Sequence, residues 1–234
     1  TSTRAFNLVS GIGFSREGYP VNSLFSYDFR GLNEDGVPTF INEAGVLTST
    51  DINFQETERF DNLVYSGPSE PTDVGSFGNI FQYKGLRLNV FITYSFGNVV
   101  RLDPVFSSIY NDLDAMPREF RNRWMTPGDE RYTDVPAIVS SRQVRNDSKL
   151  SYAYNAYNYS TARIAKGDFI RMKEISLTYD FPKRWIKKLR MSNLALKIQA
   201  TNLFLIYADK KLNGQDPEFF NSGGVATPVP KQFT

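Results

Sequence analysis

Three pairs of carboxylates, Asp112 with Asp114, Asp129 with Glu130 and Asp216 with Glu218, are the residues of this 234-residue chain whose spacing first suggests chemistry. Oxygen-rich loops of this kind can bind calcium, and two carboxylates facing each other across a sugar ring can hydrolyse it. None of the pairs has EF-hand spacing, and nothing in the sequence sets an acid opposite a base. They read as solvated or hydrogen-bonded loop carboxylates. The chain has no cysteine and no histidine, which removes thiol nucleophiles, zinc sites built on Cys or His, and His-based proton relays. No catalytic residue, metal ligand or cofactor is assigned, and the chain is not expected to be an enzyme.

A second set of residues suits recognition. Tyr152, Tyr154, Tyr157 and Tyr159 form a dense aromatic run. It reads as packing within its own segment, because exposed aromatic surface is usually limited, with a stacking surface for cargo or a partner as the alternative. The four are kept as candidate contacts. Lys183, Arg184, Lys187, Lys188 and Arg190 cluster as a basic turn, either solvated or touching lipid phosphate, and Trp185 beside them suits a membrane interface. Other Lys and Arg residues are scattered, and at a net charge of +2 no nucleic-acid partner is expected.

The elements that must position these residues are strands. Leu86, Leu88, Val90, Ile92, Tyr94 and Phe96 alternate with Arg87, Asn89, Thr93 and Ser95. Ile175, Leu177, Tyr179 and Phe181 alternate with Ser176, Thr178 and Asp180, and Leu194, Leu196, Ile198 and Ala200 with Lys197, Gln199 and Thr201. Sustained period two is the signature of β structure with one apolar face. That face points inward in a soluble sandwich and toward lipid in an outer-membrane barrel, whose polar face lines the lumen. The longest charge-free apolar stretch, Leu88 to Val100, is too short and too polar for a spanning helix. Aromatics at 15% suit interfacial girdles, sugar-stacking surfaces and ordinary β packing alike.

Connection lengths separate the two readings. Phe77–Tyr83 turns tightly at Tyr83-Lys84-Gly85 into Leu86–Arg101, after which roughly 65 residues, Leu102 to Lys166, pass with little periodicity, far beyond an ordinary connection. Asp168–Phe181 returns through the compact turn Pro182–Asn193 into Leu194–Ile206, and a second long loop runs from Tyr207 to Pro228 before a strand begins at Val229. Short turns at one end and long loops at the other is the arrangement of outer-membrane barrels. Val21–Arg30 reads as a further strand, and Gly31–Gly67 as another long excursion with turns at Gly36-Val37-Pro38 and Glu43-Ala44-Gly45.

Several motifs then occur in order: Arg123-Trp124-Met125-Thr126-Pro127-Gly128-Asp129; Asp134-Val135-Pro136; Gly167-Asp168-Phe169-Ile170-Arg171-Met172-Lys173-Glu174-Ile175-Ser176-Leu177-Thr178-Tyr179; Thr201-Asn202-Leu203-Phe204; and Asp216-Pro217-Glu218. Together they resemble the C-terminal part of SusC/RagA-type TonB-dependent outer-membrane transporters. Upstream, Gly18-Tyr19-Pro20 before Phe25-Ser26-Tyr27, and Gly75-Ser76-Phe77-Gly78-Asn79 before Tyr83-Lys84-Gly85, extend the resemblance over nearly the whole chain.

The resemblance implies that residues 1–234 are the C-terminal part of a barrel of about 22 strands, all-β and antiparallel, with long extracellular loops. The plug and TonB-contacting segment are expected elsewhere in a longer protein, and the strand begun at Lys231-Gln232-Phe233-Thr234 is expected to be incomplete. The implied function is import of oligosaccharides or peptides across the outer membrane of a Gram-negative bacterium with TonB-derived energy, alongside a SusD-like lipoprotein. A soluble β-sandwich that binds carbohydrate is the alternative. In the barrel reading Leu88, Val90, Ile92, Leu177, Tyr179, Leu196 and Ile198 face lipid, while Arg87, Asn89, Thr93, Thr178, Lys197 and Gln199 face the lumen.

Overall fold

The computed structural model describes residues 5–10, 16–52, 60–105, 117–220 and 230–234. Asp112 and Asp114 lie outside the described residues. In chain order the first strands are β1 (Ser23–Tyr27), β2 (Phe29–Leu32), β3 (Pro38–Ile41), β4 (Leu47–Thr48), β5 (Leu63–Pro68), β6 (Asp73–Tyr83), β7 (Leu86–Phe96) and β8 (Val99–Arg101). After them come β9 (Ile164–Lys166), β10 (Phe169–Asp180), β11 (Ala195–Ala208) and β12 (Gln232–Phe233). The α-helices are α1 (Ala5–Ser10), α2 (Ser141–Asn146), α3 (Lys149–Asn158) and α4 (Lys183–Ile186). None of the described helices is long and apolar enough to cross a membrane.

The chain divides into two compact units. One, the wall, comprises Pro71–Asn98 and Lys166–Thr234. It is a five-stranded antiparallel sheet in the order β12-β11-β10-β7-β6. The β6–β7 hairpin turns on Lys84 and Gly85, with φ of +45° and +84°, the two left-handed residues that a two-residue type I′ loop needs to match the strand twist. Nothing larger than glycine fits at Gly85, where an added Cβ would lie 2.8 Å from the Asp180 carbonyl oxygen of β10. Short connections thus join β6 to β7 and β10 to β11 at one end of the sheet, and long ones join β7 to β10 and β11 to β12 at the other.

The apolar positions of β10 change parity, from Ile170 and Met172 to Ile175, Leu177 and Tyr179. A one-residue bulge reconciles them: Met172 pairs with Ile92 and Glu174 with Phe91, leaving Lys173 as the extra residue. Because of it, both apolar runs fall on one face of the sheet.

The other unit comprises Thr1–Glu70 and Val99–Ala165, and it is packed. β1 pairs with β5, and β2, β3 and β4 form a small meander. Two apolar clusters fill it: one gathers Phe25, Tyr27, Phe40, Phe120 and Tyr157 among others, and the second gathers Val37, Val139, Ala153 and Tyr154. Among the described residues both clusters lie in this unit.

Three expectations are corrected here. Val21–Arg30 is not one strand but β1 and β2, which lie in different sheets of the packed unit. β1 is buried at every residue, so it has no solvent-facing side to alternate with. Leu86–Arg101 breaks at Gly97, whose φ is +90°, and β8 continues into a separate pairing with β9. The segment Leu102 to Lys166, which lacks periodicity, carries α2 and α3 and contributes to both cores.

Candidate functional site

The register of the wall assigns each side chain to a face. Tyr179 pairs with Leu86 and Leu196, Leu177 with Leu88 and Ile198, and Ile175 with Val90 and Ala200, while Phe81 and Tyr83 of β6 stand opposite Leu88 and Leu86. This face is apolar, and much of it is uncovered: Ile198 is 59% exposed, and Phe77, Phe81, Tyr83, Leu177, Leu196 and Phe204 are exposed as well.

The opposite face carries every strand residue expected to line a lumen. Arg87 pairs with Thr178, Thr178 with Lys197, Asn89 with Ser176, Ser176 with Gln199, and Thr93 with Arg171. Polar groups on it are joined diagonally. Arg87 lies 3.8 Å from the Asp180 carboxylate, and Asn89 Nδ2 donates to Glu174 Oε1 at 3.1 Å. Val74, Ile80 and Phe91 interrupt the polar pattern, with the Phe91 ring lying over Gly78 opposite it.

Toward the long-loop end this face holds a buried ion cluster, built from residues of two of the sequence motifs but not evident from either alone. Arg171 donates to both carboxylate oxygens of Asp216, at 2.5 and 2.6 Å, and its Nε lies 3.1 Å from Glu218. Arg171 and Asp216 are both buried, a setting in which a charge-assisted pair fixes geometry and an unpaired charge is costly. Asp216 also accepts from the Glu218 backbone N–H and so caps the turn Pro217–Phe219. The signal for this cluster was an arginine on the polar parity of a strand, together with an Asp-Pro-Glu turn in the following loop.

In the packed unit the second carboxylate pair organises a turn. Asp129 Oδ2 accepts from the backbone N–H groups of Met125 and Thr126, both at 3.0 Å, and these bonds hold its carboxyl below its ordinary range. Glu130 is likewise lowered, first by its own backbone N–H and then by those of Gly128 and the Trp124 indole, which donates to Oε2 at 3.1 Å. The indole plane covers Gly36, where φ is +72° and an added Cβ would come within 2.4 Å of the ring. These carboxylates act as hydrogen-bond acceptors that fix the loop.

The four tyrosines separate. Tyr154 and Tyr157 are each 2% exposed; they pack in the two cores, and Tyr154 donates to the Ala137 carbonyl oxygen at 2.8 Å. Neither is on the surface, so these two pack within the unit and offer no stacking face to cargo or a partner. The ten-residue α3 turns Tyr154 and Tyr157 to one side, three residues apart. Tyr152 is exposed, and Tyr159 is partly buried beneath the Arg101 guanidinium. At the short-turn end, Lys183, Arg184, Trp185, Lys187, Lys188 and Arg190 are exposed and Ile186 is buried.

No family model matches the chain. The chain is 28% identical over 167 residues to one TonB-dependent receptor of Formosa agariphila, covering 66% of this chain and 14% of the relative. It is 24% identical over 211 residues to another from the same organism, covering 87% of this chain and 19% of that relative. Its structure matches that of the RagAB peptide transporter with a TM-score of 0.63 at 24% identity, over 92% of this chain and 22% of the other. The match to the RagAB peptide importer in the open-open state has a TM-score of 0.61 at 23% identity, with the same coverage. The chain thus spans less than a quarter of the length of each of these proteins. It is similar to outer-membrane TonB-dependent receptors of the SusC/RagA type, as the motifs suggested, and its fold is that of part of a large antiparallel barrel. That likeness gives the outer membrane of a Gram-negative bacterium as its location.

Proposed function

We propose that this chain is part of the wall and loops of an outer-membrane importer that takes up oligosaccharides or peptides with energy supplied through TonB. The observation that carries the reading is the wall itself: a long antiparallel sheet with one uncovered apolar face and one polar face. β10 has 12 residues. At about 3.3 Å per residue and a tilt of about 40°, such a strand rises roughly 30 Å, the thickness of a bilayer core. A soluble sandwich would cover the apolar face with a second sheet, and its exposure disfavours that reading.

In this reading Arg87, Asn89, Thr93, Thr178, Lys197 and Gln199 line the lumen, and the chain contributes recognition and architecture without chemistry of its own. The long segments Leu102 to Lys166 and Tyr207 to Pro228 stand at the extracellular mouth, where a SusD-like lipoprotein closes over cargo. Of the four tyrosines, Tyr152 is the one most open to either partner. The name of the RagAB peptide transporter favours peptide as one cargo class, and the polar wall suits either class.

Cysteines placed at Tyr132 and Gln215, both exposed, test the topology in the full-length receptor without competition from native thiols of this segment. A membrane-impermeant maleimide should label both in intact cells. Labelling only after permeabilisation of the outer membrane would invert the topology and remove the partner surface.

A further inference from the structure

The turn between β10 and β11 carries Lys183, Arg184, Lys187, Lys188 and Arg190, with no acidic residue from Pro182 to Asn193. Among the described residues none of the five has a carboxylate partner; the nearest acid in sequence, Asp180, lies by Arg87. The other end of the wall is different, mixing Asp73, Asp168 and Asp209 with Lys166, Lys210 and Lys211.

The turn is held rigidly. Phe181 N–H donates to the Leu194 carbonyl at 3.0 Å, Trp185 N–H to Pro182 at 2.9 Å, and Met191 N–H to Ile186 at 3.2 Å, with Ile186 buried as the anchor. The cations therefore stand on a fixed support.

These charges adjoin the apolar face. At this end that face closes in Tyr83, Tyr179 and Phe181, beside Leu86 and Leu196. Two aromatics here carry a cation: Lys84 Nζ sits 5.1 Å from the Tyr83 ring centroid, and the Arg184 guanidinium 5.8 Å from that of Trp185. Trp185 is 51% exposed. Apolar surface, then an aromatic belt, then unpaired cations is the order of environments met on leaving a bilayer core through the headgroups.

We infer that the turn 182–193 binds the phosphates of anionic phospholipid in the periplasmic leaflet. The inference rests on the wall spanning the membrane. Lys183, Arg184, Lys187 and Lys188 supply the charge, and Trp185 sits among the glycerol and acyl groups.

The test uses the full-length receptor in neutral detergent doped with phosphatidylglycerol or phosphatidylcholine, with retained lipid counted by native mass spectrometry. Phosphatidylglycerol should be retained preferentially, the variant K183Q/R184Q/K187Q/K188Q should lose roughly tenfold or more of that retention, and K183R/K187R/K188R should keep it. Equal retention by the glutamine variant would overturn the inference. So would full competition by inorganic phosphate, which would make the turn a free-anion site, or a loss confined to isolated peptidoglycan, which would assign it to cell-wall carboxylates. Quenching of Ile198→Trp fluorescence by acyl-chain-brominated lipid, read as a difference from the parent receptor, checks the wall separately. If that residue is quenched while lipid retention is unchanged, only the turn inference fails; if it is not quenched, the wall reading fails.

Discussion

The wall and the packed unit use the same aromatic and aliphatic side chains in opposite ways. In the packed unit Phe25, Tyr27, Phe40, Tyr154 and Tyr157 are almost wholly buried and arranged around two cores. In the wall Phe77, Phe81, Tyr83, Leu196 and Ile198 lie on an uncovered face, and the buried positions include Arg171, Ser176 and Asp216. The difference teaches what each unit has for a solvent. A sheet that exposes its apolar face is stable only where hydrocarbon replaces water, and its backbone polar groups must then be satisfied within the sheet. The packed unit buries its apolar groups as any water-exposed domain does.

The strongest way to break this comparison is to remove a large side chain from a core. Phe40 is fully buried and meets the Phe29 ring at 5.9 Å, so Phe40→Ala should cost about 3–5 kcal/mol, read as early protease cleavage of the packed unit in the full-length receptor. Phe81→Ala in the wall leaves no cavity, because lipid fills the space, and should cost much less. Equal losses at the two positions would mean that the wall face packs against protein.

Next in size is a charge on the apolar face. Ile198→Arg should cost about 2–4 kcal/mol if the residue sits near the bilayer midplane, measured by urea unfolding of the receptor in vesicles. A substitution to arginine at the neighbouring position on the polar face, Gln199, should be nearly neutral. Unchanged stability of the Ile198 variant would place that face in water.

How much of this was legible in the sequence follows from where each pattern is generated. Alternation along β7, β10 and β11 is a local record of two environments, so faces, partners and the Lys84-Gly85 turn could be read directly. The parity change from Met172 to Ile175 also encodes the bulge at Lys173. The Arg171–Asp216 cluster joins residues far apart in sequence, and although each carries a local signal, no local pattern pairs the two. The packed unit was opaque for a related reason: β1 is buried on both faces, its other elements are short, and its cores combine residues from segments on either side of β6 and β7. That Tyr154 and Tyr157 pack is legible from their density, but which of the two cores each joins depends on partners far away in sequence.

A smaller effect sharpens the account of the packed unit. Gly36 has φ of +72° and lies under Trp124, so Gly36→Ala combines left-handed strain with a collision and should cost about 1–3 kcal/mol. Thermal unfolding of the receptor with and without Trp124→Leu separates the two contributions. If strain alone operates, the alanine penalty is the same in both backgrounds; if the indole is the obstacle, it shrinks when the ring is removed.

The smallest expected effect is a pH response confined to the turn around Trp124. Asp129 and Glu130 have folded pKa values below their ordinary 3.8 and 4.5, because backbone N–H groups favour the ionised forms. For a depressed carboxylate, the folded state binds protons less readily than the unfolded one. The stabilisation is complete above the ordinary values and is lost as pH falls through the lower folded values. Neutral pH should therefore leave the turn intact, and loosening should begin only in acid, as pH falls below the ordinary carboxylate values. Both carboxylates are solvent-accessible, so the effect should be local and should leave the wall unchanged. Trp124 is the reporter, since its indole donates to Glu130: its emission, taken as a difference from the Trp124→Phe receptor, should shift over that acid range, and Glu130→Gln should flatten the transition. A shift centred above pH 5 would mean that some other group controls the turn, and these carboxylates would then have no part in holding the Trp124 ring against Gly36.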